Sequence, residues 1–312
     1  MKILVTGALG HIGSRFIHSI KPGEFDEVIM LDNLATQRYC SLFDLPEGVK
    51  FKFFEENICV CDLDPYFKGV DIVLHFAAMT ESAGSIDKQK EVEEVNLLGT
   101  ERVAAACRKN GCRLFFPSST SVYTSASEFL DEDNETDENN AQTPYAASKI
   151  ISEKMLAGMG GNNGFRYVVC RFGTIFGKSK GMRFHTAVNK FCWQAVMGRP
   201  LSVWRTALEQ KRPYLDLGDC VEAIKFVIKK DLFNNGTYNV VTLNCAVKDI
   251  IEAIKGYVPD AEIKYVDSKA MNQLSYIAST GRFEKLGYKF KGDLGRSVKD
   301  TVDMLKNAFR GK

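Results

Sequence analysis

The sequence predicts an α/β protein, a doubly wound parallel sheet carrying a smaller α/β lobe toward the C-terminus. Three observations predict it. Lys2 to Thr6 is a β-branched, apolar run that leads into Gly7-Ala8-Leu9-Gly10-His11-Ile12-Gly13 and then a helical pattern to about Ile20. Strand-length apolar runs then alternate with helical patterns to residue 172, the rhythm of parallel strands joined by crossover helices. An acid, Asp32, closes the second of those runs, 19 residues beyond Gly13. Together these are the marks of a Rossmann-type sheet.

Composition narrows the classes of function. The chain has 312 residues, 45% hydrophobic and 26% charged, ordinary for a globular protein with room for a large core and a second lobe. A net charge of +2 makes no case for nucleic acid or a membrane surface as partner. No apolar run approaches the roughly 18 residues of a membrane span. The N-terminus runs straight into a strand and glycines and does not read as a signal peptide. The nine cysteines lack zinc spacing, so no metal is expected and they read as reduced, mostly buried thiols of a cytoplasmic protein.

Each element has its reason. In the glycine loop, Gly7 permits a tight turn, Gly10 lets backbone approach a pyrophosphate, and Gly13 lets helix pack on strand. The spacing is G-x-x-G-x-x-G. His11 and Ile12 lie inside this loop, where His11 packs or caps and does not catalyse. Glu27 to Leu31 is the second strand, and Asp32 at its end can accept both adenosine ribose hydroxyls, which favours NAD over NADP; Asn33 follows it. Val49 to Phe54 is a third strand, followed by Asn57-Ile58 where an adenine ring could lie. Val70 to Phe76 is a fourth, ending in His75-Phe76-Ala77-Ala78, whose small residues let backbone come close to a cofactor. Glu91 to Asn110 is a long amphipathic helix. Its Asn96 is unfavourable by propensity and so predicts a specific hydrogen bond. Arg113 to Pro117 is a fifth strand, and its end carries hydroxyls from Ser118 to Ser121 facing the crevice. Glu128 to Glu138 reads as a solvated acidic loop.

Pro144-Tyr145-Ala146-Ala147-Ser148-Lys149 opens the next helix. Tyr145 and Lys149 are four apart and share a face. A phenol has an ordinary pKa of about 10. An ammonium one turn away favours the phenolate, which makes the pair a general acid/base for a sugar or alcohol hydroxyl. Phe165 to Phe172 is the sixth strand. Beyond it the alternation loosens: a basic and polar stretch (Lys178, Lys180, Arg183, His185), a helix from Ala187 to Met197, an extended piece to Trp204, a helix capped by Asp219, a strand from Thr237 to Val241, and a helix-strand-helix tail. Residues 1–172 read as a cofactor-binding domain, with 213–242 returning to it. Residues 173–212 and 243–312 read as the substrate lobe.

Eight pieces in order carry a family resemblance: Thr6 to Gly13, Leu31 to Leu34, Leu74 to Ala78, Asn96 to Thr100, Ser118 to Tyr123, Tyr145 to Lys149, Arg171 to Gly173, and Arg212 to Asp219. On these the chain resembles the extended short-chain dehydrogenases/reductases, in the branch of NAD-dependent nucleotide-sugar epimerases and dehydratases, and is similar to UDP-glucose 4-epimerases. The resemblance implies NAD in the N-terminal lobe, a nucleoside-diphosphate sugar in the C-terminal lobe and a homodimer formed through Glu91–Asn110 and Tyr145–Met159. It implies Ser119, Tyr145 and Lys149 as catalytic residues, with Thr120 the neighbour of Ser119. Cofactor contacts fall on Gly7, Gly10, His11, Ile12, Gly13, Asp32, Asn33, Asn57, Ile58, Phe76, Ala77, Ala78, Asn96, Tyr145 and Lys149. Substrate contacts fall on Thr120, Thr174, Arg183, Asn189 and Arg212, the arginines and Asn189 toward the diphosphate.

Departures from the pattern choose among reactions. The similar 4,6-dehydratases carry Asp-Glu just after the catalytic hydroxyl, and decarboxylating relatives a Glu at the second place. Here Thr120 and Ser121 stand there, and a hydroxyl cannot act as a carboxylate base at neutral pH. Thr174 replaces an Asn of many relatives. The expectation is an epimerase, at C4, that passes hydride to NAD and back through a keto-sugar. The alternatives are a 4-dehydrogenase or ketoreductase with net redox, and a silent NAD-binding scaffold.

Overall fold

The computed structural model describes residues 1–80, 86–125, 127–160, 164–267 and 275–308. A seven-stranded sheet organises it. Its strands are β1 (Lys2–Thr6), β2 (Glu27–Asp32), β3 (Phe51–Glu55), β4 (Ile72–His75), β5 (Arg113–Ser119), a later strand at Tyr167–Phe172 and a last one at Thr237–Val240. Between and beyond them, β6 (Phe129–Leu130) precedes β7 (Tyr167–Phe172), then come β8 (Thr174–Phe176), β9 (Leu201–Trp204), β10 (Lys211–Asp216), β11 (Thr237–Val240), β12 (Leu243–Ala246), β13 (Ile263–Val266) and β14 (Ile277–Ala278). The large sheet runs in the order β11-β7-β5-β4-β1-β2-β3, and every pairing in it is parallel. Small sheets pair β12-β10-β8, β13-β9 and β14-β6.

The strand sequences explain the placement. β1 and β4 are buried on both faces. Ile3 and Val5 enter one apolar cluster with Phe16 and Val28, while Leu4 enters the other with Val73 and Leu114. That is the period-two alternation of a sheet covered on both sides. β3, at the edge, alternates toward solvent. Winding proceeds from β1 through β2 to β3, and then reverses to put β4 on the other side of β1. A ligand crevice opens where the winding reverses, beyond the carboxyl ends of the strands. The glycine loop after β1 and the Phe76-Ala77-Ala78 turn after β4 therefore face each other there.

Of residues 213–242, β11 is the part that joins the large sheet, beside β7. β10 instead pairs with β8 and β12. A third apolar cluster, including Phe176, Val188, Leu201, Ile250 and Val298, lies under these later elements.

The helices are α1 (His11–Ile17), α2 (Asp64–Phe67), α3 (Gln89–Val92), α4 (Gly99–Asn110), α5 (Pro144–Met159), α6 (Ala187–Val196), α7 (Leu217–Lys230), α8 (Val247–Lys255), α9 (Gly281–Glu284) and α10 (Leu294–Leu305), of which α6, α8 and α10 pack on one another around the third cluster. Three details differ from the sequence reading. The long helix from Glu91 is not continuous, because a π-helical stretch, Glu93–Leu98, joins α3 to α4. α7 is capped by Asp216, whose Oδ1 accepts from Gly218 N at 2.7 Å, one turn before Asp219. Asp219 is instead buried, accepting from Thr242 Oγ1 at 2.7 Å and Gly292 N at 2.8 Å. The acidic 128–138 stretch is not wholly solvated, since β6 pairs with β14 and the buried Glu132 side chain accepts from Asn239 N at 2.6 Å. Among the described residues no helix is long and apolar enough to cross a membrane.

Candidate active site

The glycine loop has its shape because side chains would not fit. Gly7 has φ +63°, and a Cβ there would stand 2.5 Å from Ala77 N. A Cβ on Gly13 would stand 2.5 Å from Gly7 O. A Cβ on Gly10 would stand 3.2 Å from Gly7 O, a tight contact, and glycine keeps bare backbone on the crevice wall there. Asp32 holds this loop from outside: its Oδ2 accepts from Leu9 N at 3.0 Å and its Oδ1 from Leu34 N at 2.9 Å. Its neighbour Asn33 turns inward on its own loop, accepting from Ala35 N at 3.1 Å.

The turn after β4 is equally tied down. His75, 2% exposed, bridges Thr6 Oγ1 at 2.7 Å and Thr100 Oγ1 at 3.0 Å. Burial, and then the Lys149 charge, hold its pKa down to about 3, so it is neutral and structural. Asn96 sits in the π-helical stretch and clamps Met79, accepting from its N–H at 2.8 Å and donating to its carbonyl at 3.0 Å. The same amide donates to Ser148 Oγ at 3.1 Å. Asn96 thus fastens the post-β4 turn to α5.

α5 starts where Thr143 Oγ1 accepts from Ala146 N at 3.2 Å with Pro144 in the first turn. Tyr145 faces the crevice with its hydroxyl hydrogen-bonded to Ser119. Ser119 Oγ also accepts from Ser121 N at 3.1 Å and meets Ser121 Oγ at 2.9 Å. Burial raises the Tyr145 pKa, while the Arg183 charge and the Ser119 hydrogen bond pull against it. Lys149 is buried, donates to Pro117 O at 2.9 Å and lies 4.5 Å over the Phe116 ring and 6.0 Å from the Tyr145 ring. Desolvation lowers its pKa to about 8, against the attraction of Glu153. Glu153, one further turn along the same face, forms a buried ion pair with Arg171 at 2.7 Å and accepts from Ser118 Oγ. That pair fixes the end of β5 against α5.

The far wall comes from later in the chain. Residues 177–186 cross back over the glycine loop, where Gly181 N donates to Ser14 Oγ at 3.0 Å and Ser179 Oγ meets His11 Nδ1 at 2.9 Å. His11 Nε2 is buried without a partner, and burial keeps the ring neutral. Arg183 donates to Thr80 Oγ1 beside Tyr145. Thr174 and Arg212 line the wall, with the Arg212 guanidinium 5.3 Å over the Tyr276 ring. Tyr276 donates to Thr120 O at 2.8 Å.

These walls enclose a cavity of about 430 Å³, within the range of small-molecule sites. It brings together Gly7, Gly10, His11, Ile12, Gly13, Phe76, Ala78, Ser119, Thr120, Tyr145, Lys149, Thr174, Arg183 and Arg212. Asp32, Asn33, Ala77 and Asn96 are not on its lining. Asn57 accepts from Cys59 N at 3.0 Å, and Ile58 is buried against Gly99, so both also lie off it. Asn189 does not reach the cavity either. Fully buried, it accepts from Gly177 N and donates to Arg183 O, each at 3.1 Å, and so braces the crossing loop. Sequence reading passed over Thr80 and Tyr276, both on the wall. Glu153 was legible as the third residue of the Tyr145-Lys149 face. Nothing in the sequence marks Thr80 or Tyr276.

The cradle fits a dinucleotide. It has bare backbone at Gly10, cations at Arg38 and Lys149 and, among the described residues, no partner for the buried His11 Nε2 and no carboxylate on its lining.

A family model described as the NAD dependent epimerase/dehydratase family matches residues 3–240. The chain is 28% identical over 319 residues to a trifunctional UDP-glucose 4,6-dehydratase/UDP-4-keto-6-deoxy-D-glucose 3,5-epimerase/UDP-4-keto-L-rhamnose-reductase of Arabidopsis thaliana. That match covers 96% of the chain and 46% of the plant protein, so the chain spans about half the length of this relative. Its fold is shared with a UDP-N-acetylglucosamine 4-epimerase of Methanobrevibacter ruminantium in complex with UDP-N-acetylmuramic acid, at TM-score 0.87, 23% identity and 98% of each chain. It is also similar to the UDP-glucose 4-epimerase of Thermus thermophilus in complex with NAD, at TM-score 0.81, 25% identity, 99% of this chain and 100% of that one.

Proposed function

Because the chain belongs to the NAD dependent epimerase/dehydratase family, we propose that it is an NAD-dependent epimerase of a nucleoside-diphosphate sugar, acting at C4. The observation that carries this reading is the Ser119–Tyr145 hydrogen bond beside Lys149, in a cavity whose described lining holds no Asp or Glu. Some relatives are dehydratases by name, but elimination of water needs a carboxylate after the catalytic hydroxyl. Thr120 and Ser121 stand there instead, which favours epimerisation.

The residues have separable parts. The Tyr145 phenolate takes the proton of the sugar hydroxyl and later returns it. Ser119 Oγ holds the same oxygen in line with the phenol. Lys149, anchored on Pro117 O, fixes the cofactor ribose and adds positive charge behind the phenol. NAD, when bound along the glycine loop, supplies a reversible hydride acceptor, so none is consumed over a cycle. Thr120, Thr174 and Arg212 face the nucleotide sugar. Residues 1–172 with 213–242 hold the cofactor, and 173–212 with 243–312 hold the sugar nucleotide. Asp32 supports the ribose end by shaping the loop from Leu9 to Leu34.

We also propose a cytoplasmic homodimer. The nine free thiols, seven of them buried, suit a reducing compartment. Leu98 and Ile151, exposed on the π-helical stretch and on α5, suit a subunit contact.

The test is incubation with NAD and a panel of UDP-, GDP-, CDP- and dTDP-sugars, following reduced-cofactor absorbance and identifying products by NMR. A new epimer without net NADH is the expected result. Stoichiometric NADH with a keto-sugar would instead make the protein a net oxidoreductase.

A further inference from the structure

We infer that Arg183 is the electrostatic partner of the Tyr145 phenolate, a positioning residue for the acid/base and not a clamp on the substrate diphosphate. The inference deepens the functional reading above, since it takes Tyr145 as that reaction's acid/base.

Placement carries the argument. The loop bearing Arg183 is stapled onto the glycine loop at Gly181, where a Cβ would stand 2.2 Å from Leu9 O, and is braced by Asn189 on the Arg183 carbonyl. The Arg183 guanidinium is pinned by Thr80, on the turn that Asn96 holds against α5. Two independent tethers therefore fix this cation beside the phenol. Among the described residues its buried Nε has no partner, and no carboxylate lines the cavity. The neighbouring charge is of its own sign, Arg38, and the nearby His11 and His185 rings are held neutral by burial. A guanidinium in such company is stabilised when a wall group turns negative, and Tyr145 is the group whose charge it feels.

Lys149 is less suited to the task in alkaline solution. Its ammonium is turned to Pro117 O, 6.0 Å from the Tyr145 ring, and titrates near pH 8. A guanidinium starts above 12 and keeps its charge throughout. Among the described residues, Lys149 on its own helix, Ser119 on β5 and Arg183 on the crossing loop face Tyr145, and of these three Arg183 is the permanent cation.

The test is NMR of the protein as purified, labelled with ring-¹³C tyrosine, between pH 7 and 10.5. Loss of one resonance in Tyr145→Phe assigns the signal. In Arg183→Met the phenolate fraction of Tyr145 at a given pH should fall roughly tenfold, one unit of midpoint. Arg183→Lys should restore most of it, and Thr80→Val should move it the same way by less, which keeps the test sound if the Met variant fails to fold. UDP affinity by calorimetry should change less than about threefold. An unchanged phenolate fraction in Arg183→Met, or in Thr80→Val if the Met variant does not fold, overturns the inference. A tenfold loss of UDP affinity alongside it would return Arg183 to the diphosphate. The titration needs no turnover, so a chain that epimerises no sugar would sink the functional reading and leave this result standing on its own.

Discussion

Burial raises the proton affinity of the Tyr145 phenol, while the Ser119 hydrogen bond and the Arg183 charge lower it. A phenylalanine there keeps the ring and removes the proton. Tyr145→Phe should therefore cut turnover by about 10³-fold or more while NAD affinity, measured by fluorescence titration, stays within threefold. Lys149 gives a stability signature of its own. Its pKa is about 8 in the folded chain against 10.5 when exposed. Between those values the unfolded chain binds more protons, so folding stability rises with pH across that window. Compared with Lys149→Met, the wild type should gain about 2 kcal/mol between pH 8 and pH 10, read from urea midpoints. A constant difference between the two proteins would show that the ammonium is not desolvated. Tyr145 and Lys149 were legible from spacing, and strand-end position marked the hydroxyls of Ser118 to Ser121, from which the family resemblance picked Ser119. Thr80, their indirect partner through Arg183, was not, because a threonine in a turn has no signature until its neighbour is known.

The elements that make the site are short and are held by single side chains. The π-helical stretch at Glu93–Leu98 adds a residue to the turn and carries Asn96 to Met79 and Ser148. The sequence marked Asn96 as out of place in a helix, yet it could not give the π geometry. The crossing loop 177–186 is the second such element. Gly181 packs on Leu9 and Ser14, so an alanine must push the loop off α1. Gly181→Ala should cost about 1–3 kcal/mol in chemical denaturation and weaken NAD binding roughly tenfold. Retained NAD affinity would mean that the loop does not need this seat to hold the cofactor. Asn189, which the resemblance points toward the diphosphate, is completely buried by the fold and braces the crossing loop through Gly177 N and Arg183 O.

For the whole molecule, chain reversal between β3 and β4 builds the crevice, and β11 closes the far side of the sheet beside β7. Leu98 and Ile151 leave apolar surface exposed on the π-helical stretch and on α5, and the proposed dimer predicts twice 34.9 kDa in light scattering. Leu98→Arg should halve that mass while leaving the fold intact by circular dichroism; a wild type that already runs at 34.9 kDa would remove the dimer. The sequence by itself determined the α/β rhythm, the glycine cradle and the Tyr145–Lys149 face. Strand and helix periodicities, and positions only glycine can fill, are local properties written in consecutive residues. The tertiary structure alone decided that Arg183 meets Thr80, that Tyr276 holds Thr120 and that Asn189 is a brace. Those contacts join residues 6 to 156 positions apart, and their existence depends on how the crossing loop and the C-terminal strands pack, which spacing along the chain does not encode.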